Sequence, residues 1–143
     1  NDEILDELIG MWNKSWMLAH PYEEVEEVLS ELKKKYDLYL ISNTDSTSIL
    51  NVIEKFSLNK FFKQKFLSFE MGLIKTDPKF LENVLKEINL NKEDCIVIGD
   101  SMQSDIIASE KAGIKAILVD RRNSRDFQIK IKNLKELRKI LNN

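Results

Sequence analysis

Apolar residues along this chain switch between two spacings. Ile4, Leu5, Leu8, Ile9, Met11, Trp12, Trp16 and Met17 recur at helical intervals, which predicts an amphipathic helix from Asn1 to His20. His20-Pro21 breaks it. Val25, Val28, Leu29 and Leu32 form the inward stripe of a second helix, Tyr22 to Tyr36. Leu38–Ile41, Cys95–Ile98 and Ala116–Val119 are short, continuous apolar runs, the pattern of strands buried on both faces in a parallel sheet. A further short strand is predicted near Phe66–Phe69, and Phe127–Ile131 alternates like an edge strand. Helices are predicted over Ser46–Phe56, Lys79–Ile88, Ser104–Ala112 and Leu134–Leu141, and Gly72–Pro78 reads as a loop. No repeat, low-complexity segment or linker interrupts the series. Strands alternating with helices predict an α/β domain with a doubly wound parallel sheet.

Cys95 to Gly113 carries the strongest candidate chemistry. An apolar strand ends in Gly99-Asp100, a polar turn follows, and a helix carrying Asp105 runs to Gly113, where a C-terminal glycine belongs. Gly99 is expected to let the backbone turn sharply. Asp100 and Asp105 thus fall at the carboxyl edge of the sheet, where open α/β folds bind ligands. Paired carboxylates repel unless a cation lies between them, and Mg²⁺ uses one or two carboxylates plus waters and a phosphate. The competing reading makes Asp100 a turn residue and Asp105 a first-turn acid favoured by the helix dipole.

The strand Leu38–Ile41 ends in Ser42-Asn43-Thr44-Asp45 on the same predicted edge. A hydroxyl and an amide beside helix-start N–H groups suit a phosphoryl oxygen; Thr44, Asp45 or Ser46 also suits a helix cap. Lys75, in the loop before Pro78, is either a point charge for phosphate or a surface lysine. His20, the single histidine, is either a base or ligand or, beside Pro21, a turn residue. Lys33, Lys34 and Lys35 suit the negative end of a helix dipole.

Length and charge narrow the classes. The 143 residues fit one domain. With 22 basic and 24 acidic residues and no basic patch interleaved with aromatics, nucleic acid is not an expected partner. No apolar run is long enough to span a bilayer and no signal-peptide pattern shows, so no membrane partner is expected. The single cysteine, Cys95, excludes a disulfide framework, and a cytoplasmic location is expected. Without a secretory signal, the sequon Asn13-Lys14-Ser15 is read as chance.

The order of these signals is more specific than any one of them. A strand with Ser42-Asn43, then Lys75-x-x-Pro78, then a strand with Gly99-Asp100-x-x-x-x-Asp105 and Gly113, resembles the second, third and fourth motifs of the haloacid dehalogenase-like (HAD) hydrolase superfamily. The fourth is the most specific match; at the third, Thr76 stands where many members have proline. The resemblance covers Pro21 to the C-terminus and implies a Rossmann-like core domain over residues 21–143. Residues 1–20 resemble the last helix of the small helical cap that such members insert after the first motif.

The resemblance implies a phosphatase acting on small phosphorylated metabolites in two steps. A nucleophilic Asp forms an aspartyl-phosphate, which water then hydrolyses. Ser42 would bond the transferring phosphoryl group with help from Asn43, Lys75 would bridge nucleophile and phosphate, and Asp100 and Asp105 would bind or orient Mg²⁺. Two alternatives remain. One is 2-haloacid dehalogenase chemistry, against which the retention of both Asp100 and Asp105 argues, since such members do not need Mg²⁺. The other is a non-catalytic binding protein built on the same fold.

One departure stands out. The family's first motif is a strand ending in Asp-x-Asp, and none of the apolar runs here ends that way. The expected partner is therefore an N-terminal segment of the same protein that supplies the nucleophile, and this chain alone is expected to be inactive. That strand is central in the superfamily, between those read here as Leu38–Ile41 and Cys95–Ile98. The sheet is thus expected to be incomplete without it.

Overall fold

Local chemistry sets several element ends. In the computed structural model, which describes residues 19–46 and 48–141, helix Pro78–Ile88 starts on Asp77. The Asp77 side chain accepts the N–H of Lys79 at 2.9 Å. Pro78 occupies the first turn, where its missing N–H is harmless, and Asn89 ends the helix at a φ of 55°. Near the C-terminus, Asn133 and Glu136 form a reciprocal capping box. The predicted helix Asn1–His20 lies outside the described residues except for its last two positions.

The chain divides into two compact units, Asn1–Glu70 and Met71–Asn143. In the first, α1 (Val25–Leu32) buries Val28 and Leu32. It is followed by β1 (Tyr39–Ser42), α2 (Ser48–Lys55), a 3₁₀ turn (Leu58–Phe61) and β2 (Gln64–Leu67). β1 and β2 are parallel, in register from Tyr39 opposite Gln64 to Ser42 opposite Leu67. Ile53, Phe61, Phe66 and Leu67 are buried.

The second unit holds α3 (Pro78–Ile88), β3 (Ile96–Gly99), a π-helical stretch (Met102–Ile107) that continues into α4 (Ala108–Ala112), and β4 (Lys115–Val119). After these come β5 (Lys130–Ile131), a 3₁₀ turn (Leu134–Glu136) and α5 (Leu137–Leu141). Its sheet has the order β3-β4-β5 with both pairings parallel. Ile106 packs with Ala116 and Leu118, flanked by Met102 and Phe127. Gly113 ends α4 at a φ of 73°, as its position in the sequence predicts.

Three expectations need correction. The strands at Leu38–Ile41 and Cys95–Ile98 each lie one residue later, because the backbone ladder extends to the polar Ser42 and to Gly99. The edge strand predicted over Phe127–Ile131 shrinks to Lys130–Ile131. β3 is also not buried on both faces: Ile96 is 43% exposed, whereas Ala116, Ile117 and Leu118 of β4 are buried. β4 has a strand on either side; among the described residues β3 and β1 each pair on one side only. No helix among the described residues is long and apolar enough to cross a membrane.

Candidate functional site

Polar residues stand at or just past the carboxyl ends of three strands: Ser42 at the end of β1, Asp100 after β3 and Asp120 after β4. In the first unit, Ser42 closes β1 half-buried and Asn43 follows it exposed. Asp45 caps α2: Oδ1 accepts the N–H of Ser48 at 2.8 Å and Oδ2 accepts its hydroxyl at 2.7 Å. Of the three cap candidates in the sequence, the structure uses this one. The loops after β1 and β2 are tied through Ser68, a residue with no signal in the sequence pattern. Its hydroxyl accepts the N–H of Thr44 at 2.9 Å and donates to the Thr44 carbonyl at 3.0 Å. The loop that carries Ser42-Asn43 is thereby fastened at Thr44. The exposed His20 packs edge-on against Phe56, ring centroids 5.2 Å apart.

In the second unit, Lys75 and Asp105 meet. Lys75 Nζ donates to Asp105 Oδ1 at 2.5 Å, with the two side chains 12% and 4% exposed. Asp105 Oδ2 accepts the N–H of Ser101 at 2.9 Å. The Ser101 hydroxyl accepts the N–H of Ser104 at 3.2 Å, so the turn between β3 and the helix is closed from both directions. The helix opens in π form: the N–H of Ile106 reaches back five residues to the Ser101 carbonyl at 3.2 Å. Such wider turns inside helices are frequent at functional sites.

Gly99 works differently from the expectation that it allows a sharp turn. Its φ is not positive, unlike those of Gly72 and Gly113. What it provides is room: a Cβ there would stand 2.2 Å from Asp105 Oδ2 and 2.6 Å from Asp105 Cβ. The carboxylate occupies the space a side chain would fill.

Asp100 is exposed, and its carbonyl accepts a bond from Arg125 Nη1. Among the described residues its carboxylate makes no hydrogen bond or ion pair. Asp120, just past β4, is buried and accepts the N–H of Arg125 at 2.8 Å. That bond, with the N–H of Ser124 and the nearby Lys130 ammonium, holds its carboxyl below the usual carboxylate range. Asp120 and Arg125 were not singled out in the sequence; the only signal was that Asp120 ends an apolar run. Burial, and then the charge of Asp94, push the Cys95 thiol up, which argues against a thiolate nucleophile at neutral pH.

Among the described residues, no group of three or more His, Cys, Asp or Glu side chains stands ready to hold a metal. The donor chemistry nevertheless fits Mg²⁺, which takes hard oxygen ligands and often only one or two carboxylates. Asp100 offers an open carboxylate. Asp105 has both oxygens engaged and is suited to orienting rather than to sole ligation.

The family model for haloacid dehalogenase-like hydrolases matches residues 1–119. The chain belongs to this family. Among curated haloacid dehalogenase-like relatives, the glyceraldehyde 3-phosphate phosphatase of Methanothermobacter thermautotrophicus is 27% identical over 114 residues, covering 79% of this chain and 50% of that protein. The N-acylneuraminate-9-phosphatase of Rattus norvegicus is 28% identical over 118 residues, covering 81% and 47%. The chain thus spans about half the length of the curated relatives it matches. Among solved structures, the HAD-hydrolase YfnB of Bacillus subtilis, bound to magnesium, aligns with a TM-score of 0.80 at 26% identity, covering 85% of this chain and 56% of that one. The fold class read from the alternating pattern is the Rossmann-like α/β fold of these haloacid dehalogenase-like neighbours.

Proposed function

We propose that the protein hydrolyses small phosphate esters with Mg²⁺, and that a segment preceding this sequence supplies the nucleophile on a strand ending in Asp-x-Asp. That Asp attacks phosphorus, the P–O bond to the ester breaks, and the alcohol leaves with a proton given by the second Asp of the motif. Water then hydrolyses the aspartyl-phosphate to inorganic phosphate and the free carboxylate. Residues 21–143 form the core domain, in a cytoplasmic protein.

Each side chain has a defined task. Ser42 donates its hydroxyl to a phosphoryl oxygen, and Asn43 adds its amide. Lys75 sets a fixed positive charge against the phosphoryl group and the attacking carboxylate, which spares reorganisation during reaction. Asp100 would ligate Mg²⁺, and Asp105 would orient it and its waters while holding Lys75. When bound, Mg²⁺ supplies charge neutralisation of the phosphoryl oxygens.

The observation that carries this reading is the meeting of Lys75 with Asp105, 30 residues apart in sequence, in a nearly dry setting, with Asp105 also holding the N–H of Ser101, the residue after Asp100. The relatives support the reaction class, since both named above are phosphatases. The side of β1 and of β3 that is unpaired among the described residues, and the exposure of Ile96, support a further strand. An unpaired apolar edge is otherwise a liability.

The test is hydrolysis of p-nitrophenyl phosphate by the whole polypeptide, with Mg²⁺ and then with EDTA. Turnover that EDTA abolishes, and that an Asp→Asn change at the first Asp of Asp-x-Asp also abolishes, is the expected result. Residues 1–143 alone should be inactive and regain activity when the segment is added. Chloride release from haloacetate without Mg²⁺ would replace this reading with dehalogenase chemistry. Absence of both activities would favour a binding protein.

A further inference from the structure

The loop between β4 and β5 folds back upon the Asp100 turn. The Asn123 N–H donates to the Asp120 carbonyl at 2.9 Å, and Asn123 takes a φ of 51°, so the chain reverses at once. The Arg125 N–H then binds Asp120 Oδ2 at 2.8 Å. Lys130 Nζ lies 3.5 Å from the same oxygen and donates to the Arg125 carbonyl. Asp120, 3% exposed, is therefore the anchor, and the main chain of Arg125 is fixed on both sides. From this fixed base, Nη1 of Arg125 donates to the Asp100 carbonyl.

We propose that Arg125 is a positioning residue for Asp100: it holds the Asp100 turn so that the carboxylate is presented to a divalent cation. The choice of atom supports this. A guanidinium bound to the carboxylate itself would compete with a cation; here it binds the carbonyl and leaves the carboxylate oxygens open. The preceding Gly99 has no side chain to restrict the turn, so a restraint from another loop has a purpose. The inference rests on the Mg²⁺ reading given above.

Arg125→Met keeps much of the stem and removes the donors; Arg125→Lys keeps the charge. Both are made in the whole polypeptide, because Arg125 is exposed and its loss should leave the thermal midpoint unchanged. Mg²⁺ binding is measured by calorimetry, and amide exchange is followed at Ser101, whose N–H is bonded to Asp105. For Arg125→Met the Mg²⁺ dissociation constant should rise about tenfold, the low end for groups that orient a metal ligand. kcat at saturating Mg²⁺ should stay near wild type, and the Ser101 amide should exchange faster. Arg125→Lys should fall between the two. Unchanged Mg²⁺ affinity in Arg125→Met overturns the proposal, whatever the exchange rates. If the wild-type protein binds no Mg²⁺, the metal reading falls, and with it the cation-presenting role. The Ser101 exchange then still decides whether Arg125 holds the turn.

Discussion

Lys75 and Asp105 form an ion pair at 2.5 Å with both side chains almost out of solvent. A pair in such a place contributes little net stability over an apolar replacement. Removing one partner strands the other charge and costs about 3–5 kcal/mol. Asp105 has a second tie, to the Ser101 N–H. Asp105→Ala and Lys75→Met should each lose stability in this range. Urea unfolding of both variants and of the double variant checks this. The double variant should lie well short of the sum, because the two residues interact directly. Additive losses would mean that the pair does not form in solution.

Gly99→Ala should be severely destabilising. The new methyl group would meet Asp105 Oδ2, Cγ and Cβ, all within 2.6 Å, and that side chain is held by Lys75 and Ser101. Either β3 or the helix start must move, at about 3 kcal/mol. Gly72→Ala serves as the contrast. A Cβ there meets nothing within 4 Å, so its φ of +64° is the only objection, at about 1 kcal/mol. Thermal unfolding midpoints of the two variants should rank in that order.

Asp120 should govern part of the acid limb of stability. Its folded-state pKa is lowered, first by the Arg125 N–H. The unfolded chain therefore binds the proton more tightly, and stability rises with pH across this interval. The contribution is complete above the unfolded value, near about 3.9, and is lost as pH falls through the lower folded value. Asp120→Asn should flatten the stability profile in that window and leave its slope above about pH 6 unchanged. Chemical denaturation at a series of acid pH values reads this directly.

Ser109 presents the opposite case. It is fully buried, and among the described residues its hydroxyl has no hydrogen-bond partner. A buried polar group left unpaired is a penalty, so Ser109→Ala should stabilise the protein by about 1 kcal/mol. A loss of stability on this change would show that the hydroxyl is satisfied in solution.

The sequence by itself determined the order of the main elements and the candidates near the strand ends, with β1 and β3 each ending one residue later than their apolar runs. Continuous apolar runs of four residues and helical stripes are local signals, and they placed Ser42, Asn43, Lys75, Asp100 and Asp105 at loops or helix starts. Gly113 and Asn89 show how far such reading reaches: Gly113 was legible because a C-terminal glycine follows a helical stripe, and Asn89 takes the left-handed conformation without that cue. Tertiary structure decided what the side chains do. That Lys75 pairs with Asp105 depends on a contact across 30 residues, which no periodicity encodes. That Gly99 makes room for a carboxylate, rather than a turn, depends on how closely a π-helical start approaches β3. Arg125 carries no cue in the sequence; the Asp120 anchor fixes its backbone and brings its guanidinium to the Asp100 carbonyl. Backbone direction follows from neighbouring residues, but the partner of a charge is set by packing distant segments together, and only the folded chain specifies that.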